Sequence, residues 1–365
     1  MKINSILVAL FTVSIFASCE KNETEPLQPY DTGVIVVNSG NFSDNNGTLS
    51  LIQRTGQTTV TDIFQKENMR SISGGLSGYA EVNDKGIILV DNSTAGKDAI
   101  EIVNARTFKT VATIPSAEIE NPRTVIKVSE TKAYVSAWDA TGDFSNFYKN
   151  PGYIAVLDLT SNKIAKKIAV QNGAESLALV GNEVYVGNTG SGKTVLTVID
   201  VTTDAVKQTI EVGRNPSIIG VDASSKLWVY AGGELQKINT SSKTVENKLK
   251  ITASNASKSP SSFVLSADKA TIYYTFSFYD AADNYVQKGE TYSFSTTSTA
   301  IEAKTPFINR LFSGGLAVDP QTGDLYAGLV PSYKQAGYVF RYKANGTLID
   351  SVRAEIAPSK FFFKK

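Results

Sequence analysis

Residues Gly187-Asn188-Thr189-Gly190-Ser191-Gly192-Lys193-Thr194 carry the spacing GxxxxGK[ST], a phosphate-binding pattern, directly after a strand-like segment at 183–186. Such a loop cradles phosphate only when a helix follows the Lys-Thr pair, so that N-terminal amides and the positive end of the helix dipole face the anion. Here the ten residues 194–203 include eight Val, Ile or Thr, which predicts a strand. The glycines then read as turn residues, and no nucleotide site is expected. Asp44-Asn45-Asn46-Gly47 has the composition of a calcium loop but lacks the alternating ligands and closing Glu of an EF-hand, so it reads as a hairpin tip. Asp139 and Asp143 are close enough in sequence to pair as catalytic carboxylates, but the chain offers no evident partner or pocket for them.

Histidine is absent from all 365 residues. That removes Ser-His-Asp and Cys-His nucleophiles, His metal sites and the commonest general base near neutral pH. Carboxylate or Lys chemistry stays open, but the balance moves toward binding, with no catalytic residue, metal ligand or cofactor assigned. The 36 basic and 35 acidic side chains nearly cancel, so no global field draws in nucleic acid or an anionic membrane.

The single cysteine, Cys19, follows Lys2, an apolar run at 6–15 and the small-residue approach Phe16-Ala17-Ser18. The run is too short to span a bilayer and has the order of a lipoprotein signal. Residues 1–18 are therefore expected to be a signal peptide, and Cys19 the lipidated first residue of the mature chain. Residues 19–32 then form a polar tether and 33–365 the folded body. Acyl chains on Cys19 would be its membrane contact.

From Gly33 onward no stretch of ten residues keeps apolar positions at helical spacing, so no helix is expected. What recurs is a β-branched or aromatic pair closing a strand. Its copies are Val36-Val37-Asn38, Leu89-Val90-Asp91, Tyr134-Val135-Ser136, Tyr185-Val186-Gly187, Trp228-Val229-Tyr230, Tyr273-Tyr274-Thr275 and Tyr326-Ala327-Gly328. First residues are 53, 45, 51, 43, 45 and 53 positions apart, which matches the ~40–50 residues of a four-stranded propeller blade. The fold class expected is all-β, a seven-bladed β-propeller. Blade one lacks an innermost strand, and Pro358-Ser359-Lys360-Phe361-Phe362-Phe363 is the spare strand that would close the ring.

With strands lettered A to D from the axis outward, B–C and D–A connections share one face. Its long B–C loops are read as 38–47 with Phe42, 138–152 with Trp138, Phe144, Phe147 and Tyr148, 276–289 with Tyr279 and Tyr285, and 331–337 with Tyr333. The D–A connections carry Arg70, Arg123, Arg214 and Arg310. Flat rings and planar multidentate donors around one concavity point to ligand binding. The alternative for each Arg is an ion pair with a neighbouring carboxylate.

Tyr185-Val186-Gly187-Asn188, Val198-Ile199-Asp200, Thr209-Ile210-Glu211-Val212-Gly213 and Asn215-Pro216-Ser217 resemble the YVTN/YncE-type propeller repeat. Val36-Val37-Asn38-Ser39-Gly40-Asn41-Phe42, Asn46-Gly47-Thr48-Leu49-Ser50 and Asp62-Ile63-Phe64 resemble Bacteroidetes propeller lipoproteins of the DUF5074 type. The charged residues after Cys19 are similar to the surface-export signals of such lipoproteins. The resemblance spans 33–365 and implies an outer-membrane, surface-exposed lipoprotein. Its group includes cobalamin-binding proteins that pass vitamin B12 to a TonB-dependent transporter. Ser39 departs from the Glu expected at that position, which leaves the ligand open. The competing readings are a propeller enzyme of lactonase or quinone-dependent dehydrogenase type and a protein- or glycan-binding scaffold.

Overall fold

A computed structural model describes residues 26–139, 146–253 and 258–364. The seven motif copies all fall on B strands: Val34–Asn38, Lys85–Asp91, Lys132–Ala137, Glu183–Asn188, Lys226–Ala231, Thr271–Asp280 and Leu325–Leu329. These strands are the most thoroughly buried, because both of their faces meet a neighbouring blade. Ile87, Leu89, Val135, Ala155 and Leu157 form one such inter-blade layer between blades two and three. The seven blades together make a seven-bladed β-propeller. Outer strands show the opposite pattern. Lys163–Ala169 of blade three is mostly exposed and carries Lys163, Lys166 and Lys167, charges that discourage edge-to-edge pairing.

The ring closes as the sequence predicts. Pro358–Phe363 pairs antiparallel with Val34–Asn38, matching Val34 to Phe363 and Val36 to Phe361. Tyr326, Val339 and Val352 of blade seven pack with Val34 and Val36 behind this seam. The fully buried Arg341 of blade seven bolts it from outside. Its guanidinium donates to the carbonyls of Gln53, Arg54 and Gly56 in blade one at 2.6–2.7 Å and pairs with Asp350.

Three details differ from expectation. A six-residue helix, Ile63–Asn68, follows the two-residue outer strand Thr59–Val60 of blade one. Asp62 caps it by accepting from Gln65 N at 3.1 Å, and only Ile63 and Phe64 are buried, so it is too short to show helical periodicity. Segment 276–289 is not a loop. It extends Thr271–Asp280 and Val286–Ser295 into a ten-residue-per-strand hairpin whose tip is only 281–285. Blade six also has no regular fourth strand: the bridge from Thr291 to Ile308 stands in its place, and Ile251–Ala253 pairs parallel with Ile301–Ala303.

Candidate binding face at the mouth of the channel

Pro122 opens the A strand Pro122–Lys127 of blade three and aims the next residue, Arg123, at the channel mouth. The turn before it is pinned by buried Asp98, which accepts from Asn92 N at 2.7 Å and Asn121 N at 2.9 Å. Burial outweighs these hydrogen bonds and pushes the Asp98 carboxyl up to about 6. Arg123 in turn bridges two carboxylates: Nη1 to Asp91 at 2.6 Å and Nε to Glu175 at 3.2 Å. Its guanidinium also lies 3.9 Å from the centre of the Trp138 ring, a cation–π contact.

Trp138 is backed by Tyr148, edge-on at 5.0 Å, and by Phe147 at 6.3 Å. Tyr148 leans onto blade four. A Cβ on Gly190 would sit 2.1 Å from its ring, so Gly190, at φ +61°, leaves the room that the ring fills. This contact explains one glycine of the phosphate-like motif. The others have similar duties: Gly187 lies against the Pro216 carbonyl, and Gly192 N donates to Asn215 Oδ1 at 2.8 Å. The strand Val195–Asp200 follows at once. No helix N-terminus is present to receive a phosphate.

A cavity of about 300 Å³ opens at this mouth, lined by Arg123, Asp91, Glu175, Lys360, Phe42 and the hydroxyls of Ser39, Ser77 and Ser359, among others. Ser39 Oγ donates to Leu76 O at 2.9 Å and shares a hydrogen bond of 2.6 Å with Ser359 Oγ. Lys360 comes from the closing strand, and its Nζ donates to Arg123 O at 3.2 Å. Lys360 is exposed at the channel mouth, within the lining of the cavity. Crowding by the surrounding protein pushes its ammonium down to about 8, against the opposing pull of Glu175 and with a further push from Arg123. The lining therefore has two cations and two carboxylates, suited to a polar group that both donates and accepts.

The remaining expected residues do not share this concavity. Arg70 is held away in blade two by a bidentate pair with Glu101, at 2.9 and 3.0 Å, and stacks on Phe64. This is the ion-pair alternative realised. Arg310 stacks on Phe340 at 4.3 Å and lines a separate cleft beside the blade-six hairpin. Tyr279 and Tyr285 stand exposed on that hairpin and Tyr333 on the blade-seven loop. Arg214 is exposed next to Gly192, and its guanidinium has no ion pair or hydrogen bond among the described residues. The expectation of four arginines around one concavity thus holds only for Arg123 at the cavity itself. Cys19, Asp143 and Phe144 lie outside the described residues.

Asp91, Glu175, Ser77, Ser359 and Lys360 were not foreseen as site residues. Asp91 closes a repeated motif and Lys360 stands just before three phenylalanines in the closing strand, signals that become readable only once register is known. In the 38–47 loop, Asn41 Oδ1 accepts from Ser43 N and Asn46 Oδ1 from Asn41 N, so these oxygens cap turns. Among the described residues no group of three or more His, Cys, Asp or Glu is placed to hold a metal ion.

The model of one family, a domain of unknown function designated DUF5074, matches residues 32–364. The chain belongs to the DUF5074 family. No curated protein matches the sequence. Among solved structures, a quinonprotein alcohol dehydrogenase-like protein from Bacteroides thetaiotaomicron is similar at a TM-score of 0.65 and 17% identity, covering 92% of this chain and 79% of that one. A functionally unknown protein from Desulfotomaculum acetoxidans gives 0.59 and 12% identity, covering 91% and 98%. Hydrazine synthase from Kuenenia stuttgartiensis gives 0.58 and 16%, covering 76% and 86%. At these identities the likeness is one of fold.

Proposed function

We propose that this DUF5074 protein is a lipoprotein anchored through Cys19 in the outer membrane at the cell surface. On this reading its B–C/D–A face captures a ligand for a TonB-dependent transporter, with a corrinoid such as vitamin B12 as the first candidate. The observation that carries the reading is the Arg123–Trp138 stack on the lip of a mixed-charge cavity. The YncE-like repeat and the cobalamin-binding members of the resembling group supply the choice of ligand.

At about 300 Å³ the cavity lies at the lower end of ligand pockets, ~300–1,000 Å³. A corrinoid would therefore lie across the mouth and send one amide side group down. Asp91 and Glu175 would accept from that amide, and Lys360 would donate to it. Phe42 and the Trp138 cluster would cover the disc, and Arg214 would reach its phosphate. Binding energy concentrates in a few such aromatic and Arg anchors, at ~2 kcal/mol or more each on truncation.

Calorimetry of the purified mature protein with cyanocobalamin tests the reading. Trp138→Ala and Arg214→Ala should each weaken binding about tenfold or more, equivalent to ~1.4 kcal/mol. No heat and no change in melting temperature at micromolar ligand would reject a corrinoid. A protein- or glycan-binding scaffold is the second reading. It is favoured by the outer end of the blade-six hairpin, where Tyr279, Tyr285 and Val286 are exposed and do not line the cavity.

A further inference from the structure

We infer that the anchored propeller stands on its A–B/C–D face, so that the cavity of the opposite face points away from the membrane holding Cys19. This rests on the lipid anchor proposed above and adds an orientation to it. The first described residues fix where the tether leaves the ring. Tyr30 is 1% exposed, packs edge-on against Phe108 at 4.9 Å and donates to Glu67 at 2.7 Å. Arg106 pairs with Asp31 at 3.0 Å and donates to the Pro26 carbonyl at 3.1 Å. Arg106 and Phe108 lie in the C–D turn of blade two, between Ala99–Asn104 and Thr110–Pro115. Gly33 O accepts from Lys364 N at 3.0 Å, beyond the same end of Val34–Asn38. The tether is thus pinned to the A–B/C–D face.

Seven Cα steps separate Pro26 from Cys19. Fully extended they reach ~25 Å at most. A six-residue B strand alone is ~20 Å deep, and the loops of the binding face stand beyond it. Laying that face on the membrane would take up the whole tether at full stretch.

Surface chemistry divides in the same sense. Phe42, Tyr279, Tyr285, Val286 and Tyr333, between 42% and 70% exposed, all belong to the binding face. Among the described residues, no exposed large hydrophobic side chain lies in an A–B or C–D turn. Leu27 of the tether is exposed on that side, and Val111, Leu179, Val206, Leu348 and Ile349 lie in strands beside those turns rather than in them. Those turns are runs such as Thr160-Ser161-Asn162 and Thr240-Ser241-Ser242. They form a polar base suited to hydrated headgroups.

The test uses the full lipidated chain in phosphatidylethanolamine–phosphatidylglycerol liposomes that carry a short-range acceptor on a headgroup lipid. Cys19 is the single cysteine, and acylation removes its thiol. Ser241→Cys, in the blade-five C–D turn, and Lys334→Cys, in the blade-seven B–C loop, would therefore each label at one place. Fluorescence of the Ser241→Cys label should be quenched about twofold or more beyond that of Lys334→Cys, since only the former lies within the tether's ~25 Å reach of the bilayer. Equal or reversed quenching on liposomes that float with the protein overturns the orientation and leaves the anchor standing. Failure to float, with an unmodified Cys19 by mass spectrometry, overturns both.

Discussion

Arg123→Ala is the most informative single change. The native guanidinium answers Asp91 at 2.6 Å and Glu175 at 3.2 Å while stacking on Trp138. Its removal leaves two carboxylates sharing a partly closed cavity without their common cation. Breaking a fully buried pair costs ~3–5 kcal/mol. Here the Arg side chain is 20% exposed and the acids 14% and 27%, so water recovers part of that loss. The lost ring contact adds ~0.5–1 kcal/mol to the cost, which places the expected loss near ~3 kcal/mol. Lys360 is the second cation of the lining and holds the Arg123 carbonyl, so it limits the damage but cannot span both acids. Equilibrium urea unfolding at neutral pH reads the effect. Arg123→Ala/Glu175→Gln should be more stable than Arg123→Ala alone, because one stranded charge has gone. A single variant within ~0.5 kcal/mol of the parent, or a double variant no better than the single, would refute the reasoning.

Three further outcomes follow from other parts of the molecule. Deleting 358–365 exposes the hydrogen-bonding edge of Val34–Asn38 at the seam, and size-exclusion chromatography should find aggregates in place of monomer. Lys193→Ala should stay within ~0.5 kcal/mol of the parent in urea unfolding, whereas Gly190→Ala, which drives a Cβ to 2.1 Å from the Tyr148 ring, should cost ~1–3 kcal/mol; ATP binding that disappears in Lys193→Ala would revive the phosphate-loop reading. Lys360, at about 8 in the fold and ~10.4 when unfolded, leaves the unfolded chain with more bound protons between those values, so its contribution to stability rises with pH across that window and is constant below it. Lys360→Met should flatten that rise in urea midpoints measured from pH 7 to 10.

The propeller was legible because each B strand is buried on both faces and so shows an apolar pair at every copy. The closing strand was legible because blade one began with Val34 and an unmatched aromatic strand remained at the end. The helix Ile63–Asn68 was not, since two buried residues in six carry no period. The blade-six hairpin was misread because Phe276, Phe278 and Tyr279 look alike in a loop or an extended strand, and only pairing with 286–290 distinguishes them. For the site, residue types were visible but partners were not. Arg70 and Glu101 lie 31 positions apart, and Arg123 and Glu175 lie 52 apart. Spacing over such distances does not reveal which carboxylate an arginine will meet.

The seam between Pro358–Phe363 and Val34–Asn38 also sets an order of events. A chain synthesised N-terminus first carries blade one as an unfinished three-stranded remnant until Pro358–Phe363 arrives. Every intermediate length leaves an apolar blade face open at each end of a growing arc, and none can form the Arg341 bolt to Gln53, Arg54 and Gly56 without blade seven. The ring therefore cannot lock prematurely around a partial chain. A chain cut short of Pro358–Phe363 keeps the hydrogen-bonding edge of Val34–Asn38 unpaired.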